Sequence, residues 1–350
     1  SAPGNPGGSA ISAYFAVSNP DRITVSGASS PITVTGLTNG TPYTFQVWAL
    51  NSYGPGAFSA ASGSVTPSLA IGVWAGGQSS NIIDYITIAT IGNATDFGDL
   101  PQNRRGLAGC GSSTRGLFGG GETTSATSNI QYITFSTTGN SISFGDLTTA
   151  RTELSACNSS TRGVFAGGSS QNVIDYVTIG TTGNAIDFGD LTVIRNQNAG
   201  CSSSTRGLFG GGGGPSNVID YITIASVGNA IDFGDLTSAR TRPGSASNST
   251  RGVWAGGSSG GTPVNIIDYV TIATTGNAID FGDLTAVWEW CPGASSSTRA
   301  VFGGGTRSSS PTNSLVYITI LTTGNAIAFG DLTASRTELG ACSSGNGGTQ

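Results

Sequence analysis

Few residues in this chain could do chemistry: nineteen carboxylates, fourteen arginines and five cysteines in 350 positions, with no histidine and no lysine. Asp-Phe-Gly stands at Asp96, Asp187, Asp232 and Asp280. In phosphoryl-transfer enzymes that triplet holds magnesium beside a glycine-rich loop, a strand lysine and a catalytic aspartate. Without lysine that chemistry is excluded. The absence of histidine removes the commonest general base and a frequent metal ligand, and no cysteine spacing suits zinc. The residues therefore predict no enzyme, no metal and no cofactor.

Their spacing suggests another role. Asp99, Asp146, Asp190, Asp235, Asp283 and Asp331 recur at regular intervals, and five of them are followed five residues later by Arg104, Arg151, Arg195, Arg240 and Arg336. We expect each such pair to form a charge-assisted clamp between a strand and the connection that leaves it. Packing calls for repetition, whereas a catalytic or calcium site does not. Arg115, Arg162, Arg206, Arg251 and Arg299 occupy "STR" turns and are expected to pair with carbonyls or carboxylates of neighbouring units. Cys110, Cys157, Cys201 and Cys342 fill one column that holds Ala246 and Ala294 elsewhere, which marks a small, tightly packed position. Neighbouring members of the column are expected to lie beyond the ~4.4–6.8 Å Cα separation of a disulfide. With Cys291 outside the column, five free thiols suit assembly in a reducing compartment.

The elements that position these residues are written six times. "NVIDYVTIGTTGNAIDFGDL" (172–191) has near-copies along the chain, and Tyr85, Tyr132, Tyr176, Tyr221, Tyr269 and Tyr317 are 47, 44, 45, 48 and 48 residues apart. Such periods indicate stacked or radial β units. In the third unit "TELSAC", "GVFAGG", "NVIDYVTI" and "NAIDFGDL" read as strands a, b, c and d, joined by Gly, Asn and Ser turns. With 56 glycines, 9 % charged residues and no run of helix formers at a 3.6 period, an all-β chain is expected. One such sheet cannot bury both faces alone, but a radial arrangement lets each blade cover its neighbour. No apolar run reaches membrane-spanning length, so a soluble protein without membrane insertion is expected. A net charge of −5 without a basic cluster argues against nucleic acid. The chain contains no methionine, which suggests processing or a longer parent polypeptide.

A double glycine closing strand b (Gly167-Gly168 in the third unit), a Tyr in strand c, an aromatic in strand d and an Arg leading to the next unit resemble kelch repeats. The departure is Phe97, Phe144, Phe188, Phe233, Phe281 and Phe329, which stand where kelch repeats carry Trp. The resemblance implies a six-bladed β-propeller over residues 71–345. The first unit begins at strand b and the last is followed by an extra strand a ("RTELGAC", 336–342), so the C-terminal strand is expected to complete the first blade. Deleting 335–350 should then expose an unpaired edge. Within a partial domain spanning 1–67, residues 32–67 are similar to the second half of a fibronectin type III domain: Leu37 and Tyr43 match its tyrosine corner, Phe45, Val47 and Ala49 an inward-facing strand, and "AISAYFAVS" upstream its third strand. Its first two strands are missing, which leaves the sandwich open, so they are expected either from a preceding part of the polypeptide or from a neighbouring chain. Residues 68–70 read as a linker and 346–350 as a tail.

The a-to-b and c-to-d turns recur almost unchanged, whereas the b-to-c and d-to-a connections vary. Seven residues after each strand d aspartate stand Gly106, Glu153, Gln197, Arg242, Trp290 and Glu338, and the fifth unit adds Trp288 and Glu289. Exposed Trp beside Glu, Gln and Arg could stack on a sugar and bond its hydroxyls. Filling the space of an absent Arg is the competing role for Trp288 and Trp290. Kelch-like arrays with "GNAIDFGDLT" repeats after fibronectin type III segments resemble bacteriophage tail appendage proteins. That resemblance implies a multi-copy virion component, or an extracellular one, with other appendage subunits and a host-surface glycan or protein as partners. A purely structural role is the alternative, and a polysaccharide-acting enzyme ranks third.

Overall fold

A computed structural model of the chain describes residues 8–29, 32, 34–38, 40–67 and 69–345; the tail 346–350 and Ser68 of the linker lie outside the described residues. All regular structure among them is β, divided between two compact units, Ser1–Leu69 and Ala70–Gln350.

In the larger unit the repeat forms six antiparallel sheets, numbered 1 to 6 in the order of Tyr85, Tyr132, Tyr176, Tyr221, Tyr269 and Tyr317. Sheet 3 pairs Ser155–Asn158, Arg162–Ala166, Val173–Thr178 and Ile186–Asp190 in the order a-b-c-d, and the other five keep that order. Sheet 6 gains an added ribbon, Trp288–Glu289 against Thr306–Arg307. Strand a starts later than "TELSAC" suggests, because Glu153 enters the left-handed region at φ 58° before the strand begins. Each sheet packs on the next: Val164, Ile174 and Phe188 of sheet 3 meet Phe209, Ile222 and Ile224 of sheet 4. Burying each of these side chains contributes about 1.5–3 kcal/mol. In every sheet the strand c Tyr meets the strand d Phe edge to face, with ring centroids 5.7–5.9 Å apart.

The constancy of "TGNAIDFGDL" has its cause between sheets. In the c–d turn of sheet 3 the Gly183 amide donates to Phe144 O (2.9 Å) and the Ala185 amide to Asp146 O (2.7 Å), while Asn184 Oδ1 accepts from the Asp146 amide (3.1 Å). The outer edge of strand d would otherwise be a row of open donors and acceptors. The turn of the following sheet latches it. All six sheets make the same three bonds, and the latch returns from the last to the first: Gly92 to Phe329 O, Ala94 to Asp331 O, and Asp331 to Asn93 Oδ1. Gly145 is required here, since a Cβ would lie 2.2 Å from Gly183 O. The C-terminal strand Gly340–Ser343 pairs with Ile71–Ala75, placing Cys342 opposite Val73, so it completes sheet 1 as the chain ends predict.

Strand a of each sheet lies beside strand a of the next, and that of sheet 6 beside that of sheet 1. One position near the start of these strands alternates around the array: Gly109, Ala156, Gly200, Ser245, Gly293 and Ala341. A Cβ on Gly109, Gly200 or Gly293 would stand 2.3, 2.6 or 2.4 Å from the carbonyl oxygen of Ala341, Ala156 or Ser245. Three side chains fit in this column and six do not. The alternation extends to strand b, which ends in Ala in sheets 1, 3 and 5 ("GVWA", "GVFA", "GVWA") and in Gly in sheets 2, 4 and 6 ("GLFG", "GLFG", "AVFG"). The larger unit is thus three modules of two sheets. At the far end of strand a, Ser202 Oγ donates to Asn158 O (2.7 Å) and accepts from the Asn158 amide (3.2 Å), and Ser247 and Ser295 bracket their neighbours in the same way.

The smaller unit is one sheet in which Ile11–Asn19 lies between Thr24–Gly27 and Thr44–Asn51. Tyr43 is buried, and its hydroxyl accepts from the Thr38 amide (3.0 Å) and donates to Asp21. Phe45, Val47 and Ala49 share a face as expected, but the face is uncovered: Val47 is 48 % exposed. The opposite face also carries aromatics, with Trp48 stacked on Phe15 at 5.0 Å and edge-on to Phe58 at 4.8 Å.

Candidate functional site

The arginine column is structural, but its partners differ from those expected. Arg151 pairs with Asp175 of strand c (2.6 Å) and not with Asp146; Arg195 pairs with Asp220, Arg240 with Asp268 (2.6 Å) and Arg336 with Asp84 (2.5 Å), and not with Asp190, Asp235 and Asp331. The guanidinium turns into its own sheet, where Arg151 also donates to Gly167 O (2.8 Å) and Val173 O (2.7 Å). The strand d aspartate stays at the half-buried edge, where its backbone serves the latch and Asp146 accepts from Ser128 (3.1 Å) and Asn129 (2.8 Å). In sheet 2 the acid is replaced by Gln131, so among the described residues Arg104 binds Asn129 O (3.0 Å) and Phe118 O (3.1 Å) and not Asp99. Burial lowers its pKa to about 10. In sheet 6 both partners change: Trp288 takes the arginine position and Val316 the acid position. Trp288 is fully buried and its indole N–H donates to Gly304 O (2.6 Å), the equivalent of the carbonyl used by Arg151. Trp288 is therefore a filled clamp and not part of a ligand surface.

The second arginine set behaves as expected and adds a contact the spacing does not reveal. Arg162 donates to Ile224 O of the next sheet (2.9 Å) and lies 4.6 Å over the Tyr176 ring; Arg115, Arg206, Arg251 and Arg299 repeat both contacts. The five cysteines are free and buried. Each column sulfur fills space left by a strand b glycine of the next sheet, as Cys110 does 2.8 Å from a Cβ position at Gly163. Burial pushes the Cys110 and Cys291 thiols up to about 12, so neither is a nucleophile at neutral pH. Among the described residues no three His, Cys, Asp or Glu side chains are grouped to hold a metal ion.

The remaining site residues converge. Gly106, Glu153, Gln197, Arg242, Trp290 and Glu338 stand one per sheet at the entrance to strand a, and all six have φ between 57° and 61°. Their backbones are linked around the array: the amide of Glu153 donates to Gly106 O (2.8 Å), Gln197 to Glu153 O (2.8 Å), Arg242 to Gln197 O (2.9 Å), Trp290 to Arg242 O (3.0 Å) and Gly106 to Glu338 O (2.8 Å). Left-handed backbone suits glycine, and a residue with a Cβ is held there at a cost of order 1–3 kcal/mol. Five of the six positions accept that cost. These six residues surround the mouth of a cavity of about 140 Å³ that runs between the six strands a.

Around the mouth the side chains couple within modules. Glu338 faces Arg105 (3.5 Å), which also holds Glu122 (3.1 Å). Glu153 accepts from Asn196 (2.7 Å) and Gln197 (3.0 Å). Arg242 binds Glu289 (3.3 Å) and lies 5.4 Å over the Trp290 ring. All are half-buried. Burial raises the pKa of Glu338, with Glu153 and Glu122 adding to the rise and Arg105 and Arg242 opposing it. The mouth therefore offers preorganised acceptors, two guanidiniums and one indole, an equipment for binding. Sequence reading placed the ring but missed Arg105, Glu122 and Asn196. Arg105, Asn196 and Glu289 directly precede ring positions in sheets 2, 4 and 6, where sheets 1, 3 and 5 carry Thr337, Thr152 and Thr241. That alternation was the available signal. Glu122, Glu153, Glu289 and Glu338 are all the glutamates in the chain, and all belong to this network.

No family model matches the chain, and no curated protein matches it.

Proposed function

We propose that the larger unit is a six-bladed, kelch-like β-propeller and that the chain is a non-enzymatic recognition module of a bacteriophage tail fibre or comparable virion appendage, contacting a host-surface glycan or protein through the mouth described above. The six returning latches and the strand that completes sheet 1 support the closed propeller. The Thr38 to Tyr43 bond supports reading the smaller unit as part of a fibronectin type III sandwich. The observation that carries the functional reading is the contrast between a repeat uniform almost everywhere and a ring of strained, chemically unlike side chains at one end. Repetition serves the scaffold; departure from it at one concave site serves recognition. A glycan array probed with the purified chain tests this. Specific binding that Glu153→Gln and Gln197→Gly abolish supports recognition, and failure across every glycan class together with a mouth buried in the assembled particle refutes it.

A second reading is favoured by the smaller unit. Its exposed Val47, Phe58 and Val65 and uncovered sheet face suit packing against another subunit, so the chain could act chiefly as an assembly component. A structure of the native assembly with the mouth buried by a neighbour would favour that reading.

A further inference from the structure

We infer, resting on the recognition reading, that the mouth takes a single donor-rich chain end, the terminal sugar of a glycan, along the axis between Glu338 and Glu153. The cavity below the ring, about 140 Å³, is smaller than the ~300–1,000 Å³ of pockets that enclose whole small molecules, so it admits one protruding group. Gly106 is the one ring position without a side chain, and its backbone bonds put Glu338 and Glu153 on either side of it. A carboxylate can accept about four hydrogen bonds. Glu153 receives two from amides, and Glu338 meets one guanidinium at 3.5 Å. Both keep acceptor capacity for hydroxyl or ammonium hydrogens entering between them. Stacking along the side of a chain fits less well, because Arg242 already covers one face of Trp290. A terminus satisfies the acceptors and the cavity together, whereas an internal segment lying across the mouth leaves the cavity empty.

The test uses the full chain and linear oligosaccharides immobilised through their reducing ends, each printed free and with its terminal hydroxyls methylated. Free ends should bind, and capping should weaken binding about tenfold or more, the loss of a hydrogen bond to a charged group. Glu153→Gln, which keeps the side-chain shape but removes one of the two charged acceptors beside Gly106, should do the same. Should it perturb folding, Glu338→Gln gives the same reading without changing shape. Equal binding of capped and free forms overturns end-on entry while leaving glycan recognition intact. No binding of either form overturns both.

Discussion

Sheet 6 contains a natural experiment that can be repeated in sheet 3. There Arg151 and Asp175 form a pair in which neither side chain is exposed, and Arg151 adds bonds to Gly167 O and Val173 O. Asp175→Val leaves the guanidinium buried without a counter-charge, which costs about 3–5 kcal/mol. For a unit of this size each kcal/mol moves the melting temperature by roughly 2–4 °C, so a fall on the order of 10 °C is expected. Adding Arg151→Trp recreates the Trp288–Val316 arrangement, with an indole N–H placed to reach the Gly167 carbonyl as Trp288 reaches that of Gly304 at 2.6 Å. Replacing a whole buried pair by apolar residues is often neutral, so the double variant should return to within about 1.5 kcal/mol of the parent. Urea unfolding of the parent, both single variants and the double variant gives the coupling energy, expected at about 2 kcal/mol or more. A double variant no more stable than Asp175→Val, or strictly additive effects, would refute the view that Trp288 and Val316 replace the clamp as a unit.

Three further outcomes are expected. Gln131→Asp supplies the acid that Arg104 lacks and should raise stability by about 1–2 kcal/mol, read as a higher urea midpoint; a lower midpoint contradicts the role assigned to the column. Gly200→Ala forces a Cβ to 2.6 Å from Ala156 O and should cost about 1–3 kcal/mol, whereas the same change at Gly139, which has open space, carries only its backbone penalty. Glu338 has its pKa raised on folding, so its contribution favours the folded state below the ordinary value of 4.5 and is lost as pH rises through the raised value. Melting temperatures of the parent and Glu338→Gln should therefore diverge across that window, and parallel curves count against the electrostatic description of the mouth.

The six-fold β repeat, its strand order and the completing C-terminal strand were legible because they depend on periodicity and local turn chemistry. The clamp partners were not. Asp146 is near Arg151 in sequence, while Asp175 reaches it only once strand c folds alongside, and spacing along the chain favours the local candidate. The ring positions were found as variable residues, but their left-handed backbone was hidden, since Glu, Gln, Arg and Trp do not advertise it as Gly106 does. The latch was visible only as monotony: Asn184 gives no sign in sequence that its partner is Asp146 of the preceding sheet.

The alternating column at the centre sets a parity rule. Each Gly there lets a carbonyl of the preceding strand a approach, so inserting or losing one repeat would set a Cβ against such a carbonyl or place two glycines side by side. Gain or loss by pairs preserves the pattern. A chain of this design should therefore lengthen by duplicating about ninety residues at a time, and circular arrays of odd number should need a compensating change in strand a.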